Sequence, residues 1–153
     1  AEGLCVVLAD VRDPGNVGTI LRSAWAVGAG AVFLGAGTAD PYNPKVVRSS
    51  AGALFRVPWA RGVALPWVLG GLGVRGFRRI AADPHGGAAY DEVDLTGRCA
   101  LLFGNEAWGV PEEVVAGVDE RATIPMQGQA ESLNVGAAAA VFLFEAARQR
   151  RRR

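Results

Sequence analysis

The chain has 153 residues, of which 50% are hydrophobic and 20% charged, and its formal net charge is +1. This length and balance predict one globular domain with its own core, and they exclude a disordered chain. Cys5 and Cys99 are too few for a disulfide-stabilised secreted scaffold, so we expect reduced core thiols in a cytoplasmic protein.

The first predicted elements form a strand, a helix and a second strand. Residues 4–9 are a continuous apolar run, which is typical of a strand buried on both faces. After a turn at 13–16, apolar or small residues recur with helical spacing over 17–28. A second strand is predicted at 31–34. This order indicates a βαβ unit and therefore an α/β fold with a parallel sheet.

The rest of the chain is less regular, and its elements are predicted from shorter patterns. We predict short helices at 45–50 and 63–74, strands at 54–58, 80–82, 100–103 and 122–124, and loops at 41–44 and 83–90. The second loop contains His85, the single histidine, which we interpret as an ordinary loop residue. Trp59 and Trp67 are interpreted as core or interface residues, with base stacking beside Arg56 and Arg61 as the alternative.

The C-terminal helix is predicted at 133–148, with an apolar stretch that should be buried on more than one face. The last six residues hold five arginines, and the remaining chain carries 11 basic and 15 acidic residues. Two interpretations of this tail stay open. It is either a charge-favoured helix terminus that frays into solvent, or a contact for phosphate groups.

Three loops follow predicted strands and carry polar residues that a core would not select: 13–24, 103–110 and 124–135. Each loop alone has an ordinary structural explanation, as turn chemistry, strand-end glycines or a helix cap. Ligands of α/β proteins bind at the carboxyl ends of the strands, where such loops meet. We therefore expect the three loops to form one site.

Four segments carry a resemblance to a known family. They are NVGTILRSA at 16–24, GNEAWG at 104–109, IPMQG at 124–128 followed by SLNV at 132–135, and the connecting DPYNPKVVRSSAG at 40–52. Their order, spacing and wording resemble the SpoU/TrmH branch of the SPOUT superfamily, whose members methylate the ribose 2′-hydroxyl of RNA. The resemblance covers nearly the whole chain. It departs at Trp108, where the family tends to have a small or polar residue, so the rim of the cofactor pocket could differ.

The resemblance implies a three-layer α/β/α fold in which a parallel sheet carries a C-terminal trefoil knot. It also implies a homodimer with its active site between two subunits. A second apolar face on the first helix, formed by Gly18, Trp25, Ala26 and Ala29, agrees with a subunit interface. Residues 1–153 would be the methyltransferase catalytic domain, and the RNA-binding domain that family members usually carry at the N-terminus would be missing from this sequence.

The resemblance assigns S-adenosylmethionine as the cofactor. The positions matched to cofactor binding are Gly104, Asn105, Ile124, Met126 and Leu133. Gly104 would let the backbone approach the ligand closely. The positions matched to catalysis are Asn16, Arg22, Glu106, Ser132 and Asn134. The family treats the arginine as a base, but guanidinium is a very poor base, so Arg22 could instead clamp a phosphate and stabilise alkoxide charge.

These observations favour a methyltransferase acting on RNA, most readily ribosomal RNA and otherwise transfer RNA. A non-catalytic RNA-binding member of the same fold is the alternative, although all five matched catalytic positions are intact. A dinucleotide-dependent oxidoreductase is the third class considered, and the absence of a G-x-G-x-x-G turn after the first strand argues against it. We expect no metal, since one histidine and two distant cysteines do not make a usual zinc site. We expect no membrane segment, since no apolar stretch reaches about 18 residues.

Overall fold

The computed structural model describes residues 3–152 as a seven-stranded sheet with helices on both faces. The strands are β1 (Leu4–Leu8), β2 (Ala31–Gly35), β3 (Trp59–Val63), β4 (Arg78–Ala82), β5 (Ala88–Ala89), β6 (Cys99–Phe103) and β7 (Glu120–Thr123). The helices are α1 (Pro14–Ala26), α2 (Pro44–Ser49), α3 (Leu65–Val74), α4 (Glu112–Val115) and α5 (Val135–Arg151).

The strand order is β3-β2-β1-β6-β4-β7-β5, and every pair of neighbouring strands is parallel. All residues of the central strands β1 and β6 are buried, because helices cover both faces of the sheet. The prediction of an α/β fold with a parallel sheet is confirmed. The carboxyl ends of β1, β4, β6 and β7 lie along one edge, and this edge carries the loops that were expected to form the site.

Alternate residues of β1 point into two separate cores. Leu4, Val6 and Leu8 join the core beneath α1, α2 and α5, whereas Cys5 and Val7 join the core beneath α3 and α4. This alternation is the period-two pattern of a strand buried on both faces. It gives the three layers that were predicted. The trefoil knot stays a prediction.

The middle of the chain corrects the predicted elements. Residues 54–58 are not a strand: Ala53–Phe55 form a 3-10 helix, and the strand follows at Trp59–Val63. The indole nitrogen of Trp59 donates to the carbonyl of Leu54 at 2.9 Å, five residues earlier in the chain, and this local bond closes the turn. The loop at 83–90 contains the short strand β5, and helix α4 was not predicted.

Trp67 was interpreted as a core or interface residue, and the core interpretation is wrong. Its side chain is 79% exposed on α3, where only the opposite face of that helix contacts the sheet. Trp59 is half-buried, with its ring 5.4 Å from the ring of Tyr42 in an edge-on arrangement.

The second apolar face that was predicted for α1 is only partly free. Gly18 is buried beneath α2, where a Cβ would lie 2.7 Å from the Cβ of Ser49, and Ala29 is buried as well. These two residues therefore serve packing within the subunit, because the small size of Gly18 lets α2 approach α1 closely. Trp25 and Ala26 remain exposed.

Both cysteines are free and buried, as predicted. Burial raises the pKa of the Cys5 and Cys99 thiols above the ordinary value, so both stay protonated and unreactive at neutral pH.

The arginine-rich end belongs to α5 as far as Arg151. Arg148 forms an ion pair with Glu145 at 2.7 Å, and Arg150 donates to the carbonyl of Gly97. These contacts correct the expectation of a frayed terminus for the two residues, because the last turns lie against the 93–99 segment. Arg153 lies outside the described residues, and the phosphate-contact hypothesis stays a prediction. Within residues 3–152, no helix is long and apolar enough to cross a membrane.

Candidate active site

A cavity of about 800 Å³ opens at the carboxyl ends of β4, β6 and β7, beside the start of α5. All five residues predicted to bind the cofactor line it: Gly104, Asn105, Ile124, Met126 and Leu133. Three of the predicted catalytic residues, Glu106, Ser132 and Asn134, line it too. Two loops that are 20 residues apart in sequence thus meet at one cavity because both follow parallel strands of the same sheet.

The loop after β6, residues 104–110, is folded back on itself. The backbone of Asn105 and that of Gly109 exchange two hydrogen bonds of 2.9 Å each. A Cβ at Gly104 would collide with the backbone of Gly109 and Val110. Gly104 was expected to let the backbone approach the ligand. The structure gives a more immediate reason for a glycine here: the backbone of Gly109 and Val110 lies against Gly104 and leaves no room for a side chain.

The side chain of Asn105 fixes this loop to the end of β1. Its amide nitrogen donates to the Asp10 carbonyl oxygen at 2.9 Å and to the Asp10 carboxylate at 3.2 Å. Its amide oxygen accepts from the backbone nitrogens of Ala107 at 2.7 Å and Trp108 at 3.4 Å. Asn105 is buried, and its side-chain amide is already hydrogen-bonded to other protein groups. Asn105 therefore shapes the cavity wall, and the residues around it would make the contacts with a cofactor.

Glu106 connects the loop after β6 to the first turn of α1. Its carboxylate accepts from the backbone nitrogen of Asp13 at 3.0 Å and from that of Arg12 at 3.4 Å. The side-chain nitrogen of Asn16 lies 3.5 Å from the same carboxylate. Asp13 caps α1 by accepting from the backbone nitrogen of Gly15 at 2.8 Å, so the helix start is fixed at the edge of the cavity.

Asn16 and Asn134 meet at Gly136, although they belong to different motifs. Asn134 caps α5 by accepting from the backbone nitrogen of Ala137 at 3.1 Å. A Cβ at Gly136 would lie 3.1 Å from the side-chain oxygen of Asn134 and 3.2 Å from that of Asn16. The missing side chain at Gly136 thus lets the two amides and the start of α5 approach one another closely.

The segment between β7 and α5 lacks the hydrogen bonds that hold the loop after β6. Ile124 and Met126 are half-buried, whereas Ser132, Leu133 and Asn134 are exposed. Across the described part of the chain, residues 124–133 take part in no hydrogen bond. Their backbone groups are therefore available to a ligand in the cavity.

Arg22 does not reach this cavity within one chain. It is exposed, and its side chain forms no ion pair or hydrogen bond with another residue within 3–152. Arg22 follows Asn16 by six residues, which places it about 9 Å further along α1 and about 120° around it. Among the five predicted catalytic residues, all of which the structure describes, Arg22 is the one that neither lines the cavity nor forms a side-chain hydrogen bond with a residue that does.

Two residues that the sequence analysis missed stand beside the site. Asp10 has a φ of 63°, in the left-handed region, and its carboxylate pairs with the Arg12 guanidinium at 2.9 Å. The guanidinium carbon of Arg12 lies 5.4 Å from the ring centre of Trp108. The position of Asp10 and Arg12 directly after β1 was the one feature of the sequence that could have indicated a place near the site. His85 also lines the cavity, on the side formed by the loop after β4.

Metal binding has no support in the described residues, since no group of three or more histidine, cysteine or carboxylate side chains stands close enough to hold an ion. The polar groups of the cavity are backbone groups, amides, one hydroxyl, carboxylates, the imidazole of His85 and the guanidinium of Arg121, and Ile124, Leu133 and Phe142 form apolar walls. Such a mixture suits a nucleoside-containing molecule, because the apolar walls can cover a base and the backbone groups can bind its polar edge.

Comparison with known proteins gives one answer. The SpoU rRNA Methylase family matches residues 3–144. The 23S rRNA (guanosine(2553)-2'-O)-methyltransferase RlmP of Bacillus subtilis is 41% identical over 140 residues, which are 91% of this chain and 56% of that protein. The 23S rRNA (uridine(2479)-2'-O)-methyltransferase of Streptomyces viridochromogenes is 40% identical over 90% of this chain and 50% of that protein. The chain thus spans about half the length of these curated relatives.

Solved structures agree. The SpoU methyltransferase AviRb of Streptomyces viridochromogenes, in complex with the cofactor AdoMet, superposes with a TM-score of 0.89 at 37% identity. The superposition covers 95% of this chain and 57% of that one. A TrmH-family protein from Porphyromonas gingivalis gives a TM-score of 0.89 at 40% identity, covering 99% of this chain and 61% of that one. With the three motifs gathered around one cavity, these matches mean that the chain belongs to the SpoU rRNA methylase family.

Proposed function

We propose that this chain transfers a methyl group from S-adenosylmethionine to a ribose 2′-hydroxyl of RNA, in the cytoplasm. The observation that carries the proposal is the cavity at the carboxyl ends of β4, β6 and β7. All five residues matched to cofactor binding and three of those matched to catalysis line it. The cofactor-bound structure of AviRb, at 37% identity over 95% of this chain, supports S-adenosylmethionine as the ligand.

The residues present fit this cofactor. The unpaired backbone of 124–133 offers donors and acceptors for adenine and for the amino-acid end, while Ile124 and Leu133 supply apolar cover. When bound, S-adenosylmethionine supplies an electrophilic methyl group, so the protein has to place and activate only the accepting oxygen.

Activation of the ribose oxygen is the task of the catalytic residues. A 2′-hydroxyl is a poor nucleophile, and it needs a proton acceptor or a partner for developing negative charge. Glu106 and Asn16, whose side chains lie 3.5 Å apart at the cavity edge, would orient the ribose and its neighbours. Arg22 either clamps the adjacent phosphate and stabilises the alkoxide, or takes the proton.

We propose further that Arg22 reaches the cavity from a second copy of the chain. Within one copy it does not line the cavity, and its side chain has no ion-pair or hydrogen-bond partner among residues 3–152. Trp25 and Ala26, close to it on α1, are exposed, and so is Phe144 on α5, which packs beside α1. A two-fold contact through this surface would cover these apolar side chains and deliver Arg22 to the neighbouring site.

Ribosomal RNA is the substrate class that the relatives favour, because both curated relatives compared above are named as 23S rRNA methyltransferases. Transfer RNA is the second candidate. A solved structure described as providing insights into 2-OH methylation of C/U34 on tRNA matches 95% of this chain with a TM-score of 0.84.

The proposal is tested with Arg22→Ala, which should bind S-adenosylhomocysteine as the wild type does and lose methyl transfer. Arg75→Ala on the opposite face of the sheet is the matched control and should keep full activity. Arg22→Lys separates the two roles. A bidentate phosphate clamp would lose on the order of 2 kcal/mol with lysine, whereas a base would work better with lysine at high pH. A wild-type rate for Arg22→Ala would refute both roles.

Sharing of the site between subunits is tested by mixing two inactive variants, Arg22→Ala and Glu106→Gln. If each site takes Arg22 from one copy and Glu106 from the other, mixed dimers hold one intact site. The mixture should then recover about a quarter of the wild-type rate. No recovery from variants that exchange subunits, or a monomeric mass in sedimentation, would overturn the shared site.

A further inference from the structure

Trp108 stands at the rim of the cavity and does not belong to either core. Its side chain is 61% exposed, yet it lines the same cavity as Glu106. Unlike the other exposed aromatic side chains, Trp108 lines the cavity, so it is in reach of a molecule bound there.

The indole is held in place by its neighbours. The guanidinium carbon of Arg12 lies 5.4 Å from the ring centre, and the nitrogen of that guanidinium pairs with Asp10 at 2.9 Å. The backbone nitrogen of Arg12 donates to Glu106 at 3.4 Å, and the backbone nitrogen of Trp108 donates to Asn105 at 3.4 Å. The ring and its cation are therefore arranged before any ligand arrives, which lowers the entropy lost on binding.

We propose that Trp108, backed by Arg12, is a stacking platform for a base of the RNA substrate, beside the nucleotide that is methylated. This proposal rests on the proposed function. A base splayed out of an RNA loop stacks on an aromatic face, and a cation beside that face attracts the neighbouring phosphate. Glu106 connects the platform to the predicted catalytic residues, so a base held by Trp108 would place its ribose at the cavity mouth.

The adenine of the cofactor is the other purine that could stack on Trp108, and measuring cofactor affinity apart from RNA binding distinguishes the two. The side chain of Arg12 is 64% exposed, which leaves its remaining donors accessible to a phosphate.

The experiment uses Trp108→Ala and Trp108→Phe, with Trp67→Ala as the matched control, since Trp67 is an exposed tryptophan on α3 that does not line the cavity. The RNA probe is a hairpin with 2-aminopurine in its loop, whose fluorescence falls when the base stacks. Cofactor affinity is measured separately with S-adenosylhomocysteine by calorimetry. Urea unfolding checks that each variant is folded.

Trp108→Ala should weaken hairpin binding about tenfold and abolish the fluorescence change. Trp108→Phe should keep most of both, and S-adenosylhomocysteine affinity should be unchanged in all variants. Unchanged hairpin binding by Trp108→Ala would overturn the platform and leave the proposed methyltransferase function standing. A loss of S-adenosylhomocysteine affinity instead would assign the ring to the cofactor. If wild type shows stacking that depends on Trp108 but no methyl transfer, the platform stands and the proposed function fails.

Discussion

Residues 104–110 and residues 124–133 line the same cavity, but the protein holds them in different ways. The first segment closes a backbone bridge between Asn105 and Gly109, and two of its side chains bond to the end of β1 and the start of α1. The second segment takes part in no hydrogen bond within residues 3–152. The polar groups of the first segment are thus hydrogen-bonded within the protein, whereas the backbone groups of the second segment are free to bind a ligand. We call them the closed wall and the open wall.

The largest effect should come from adding a side chain to the closed wall. In Gly104→Val, the new Cβ would collide with the backbone of Gly109 and Val110, which cannot move without opening the loop. We expect the free energy of unfolding to fall by about 3 kcal/mol or more, with loss of cofactor binding. Urea unfolding followed by circular dichroism measures the change.

The matched control lies on the open wall. A Cβ at Gly128 would meet nothing within 4 Å, so Gly128→Ala should unfold like the wild type. Equal stability of the two glycine variants would show that the walls are not built differently.

Ligand binding should act mainly on the open wall. If the free backbone of 124–133 binds the cofactor, S-adenosylhomocysteine at a hundred times its dissociation constant should slow amide exchange there about a hundredfold. Asn105 and Gly109 already donate within the closed wall, so their amides should change less. Hydrogen exchange measured by mass spectrometry distinguishes the two segments. Equal protection of both by the ligand would contradict the difference between the closed wall and the open wall.

A smaller effect is expected when one side chain of the closed wall is shortened. Asn105→Ala leaves the carbonyl of Asp10 and the nitrogen of Ala107 without their partners. The free energy of unfolding should fall by about 2 kcal/mol, because these groups lose hydrogen bonds near a buried side chain. Gln127→Ala on the open wall removes an exposed side chain and should change stability by less than about 0.5 kcal/mol. Thermal unfolding of the pair gives the comparison, and similar losses would contradict it.

Much of this protein could be predicted from local patterns. The apolar run of β1, the helical spacing of α1 and the buried run of β6 are strong signals. A strand buried on both faces must be apolar at every position, and a helix must repeat its apolar residues with the period of its buried face. The site residues of the loops after β6 and β7 were predicted by the motifs, and they lie together because parallel strands end at one edge. Cys5 and Cys99 were predicted to be buried thiols from their apolar neighbours, and they are.

Other features depend on contacts between segments far apart in the chain. Gly18 was predicted on a free face, and α2 covers it. The contact of Arg12 with Trp108 joins residues almost a hundred positions apart, so no local pattern could indicate it.

The sequence by itself determined the fold class, the family and eight of the residues that line the cavity, since each is encoded in short apolar periods or in contiguous motifs. Tertiary structure alone decided which of those residues meet. It joined Glu106 to Asn16, used the side chain of Asn105 for support, and left Arg22 outside the cavity. The physical reason is that hydrogen bonds and close approaches are set by the distance between atoms, which the spacing of residues along the chain does not fix.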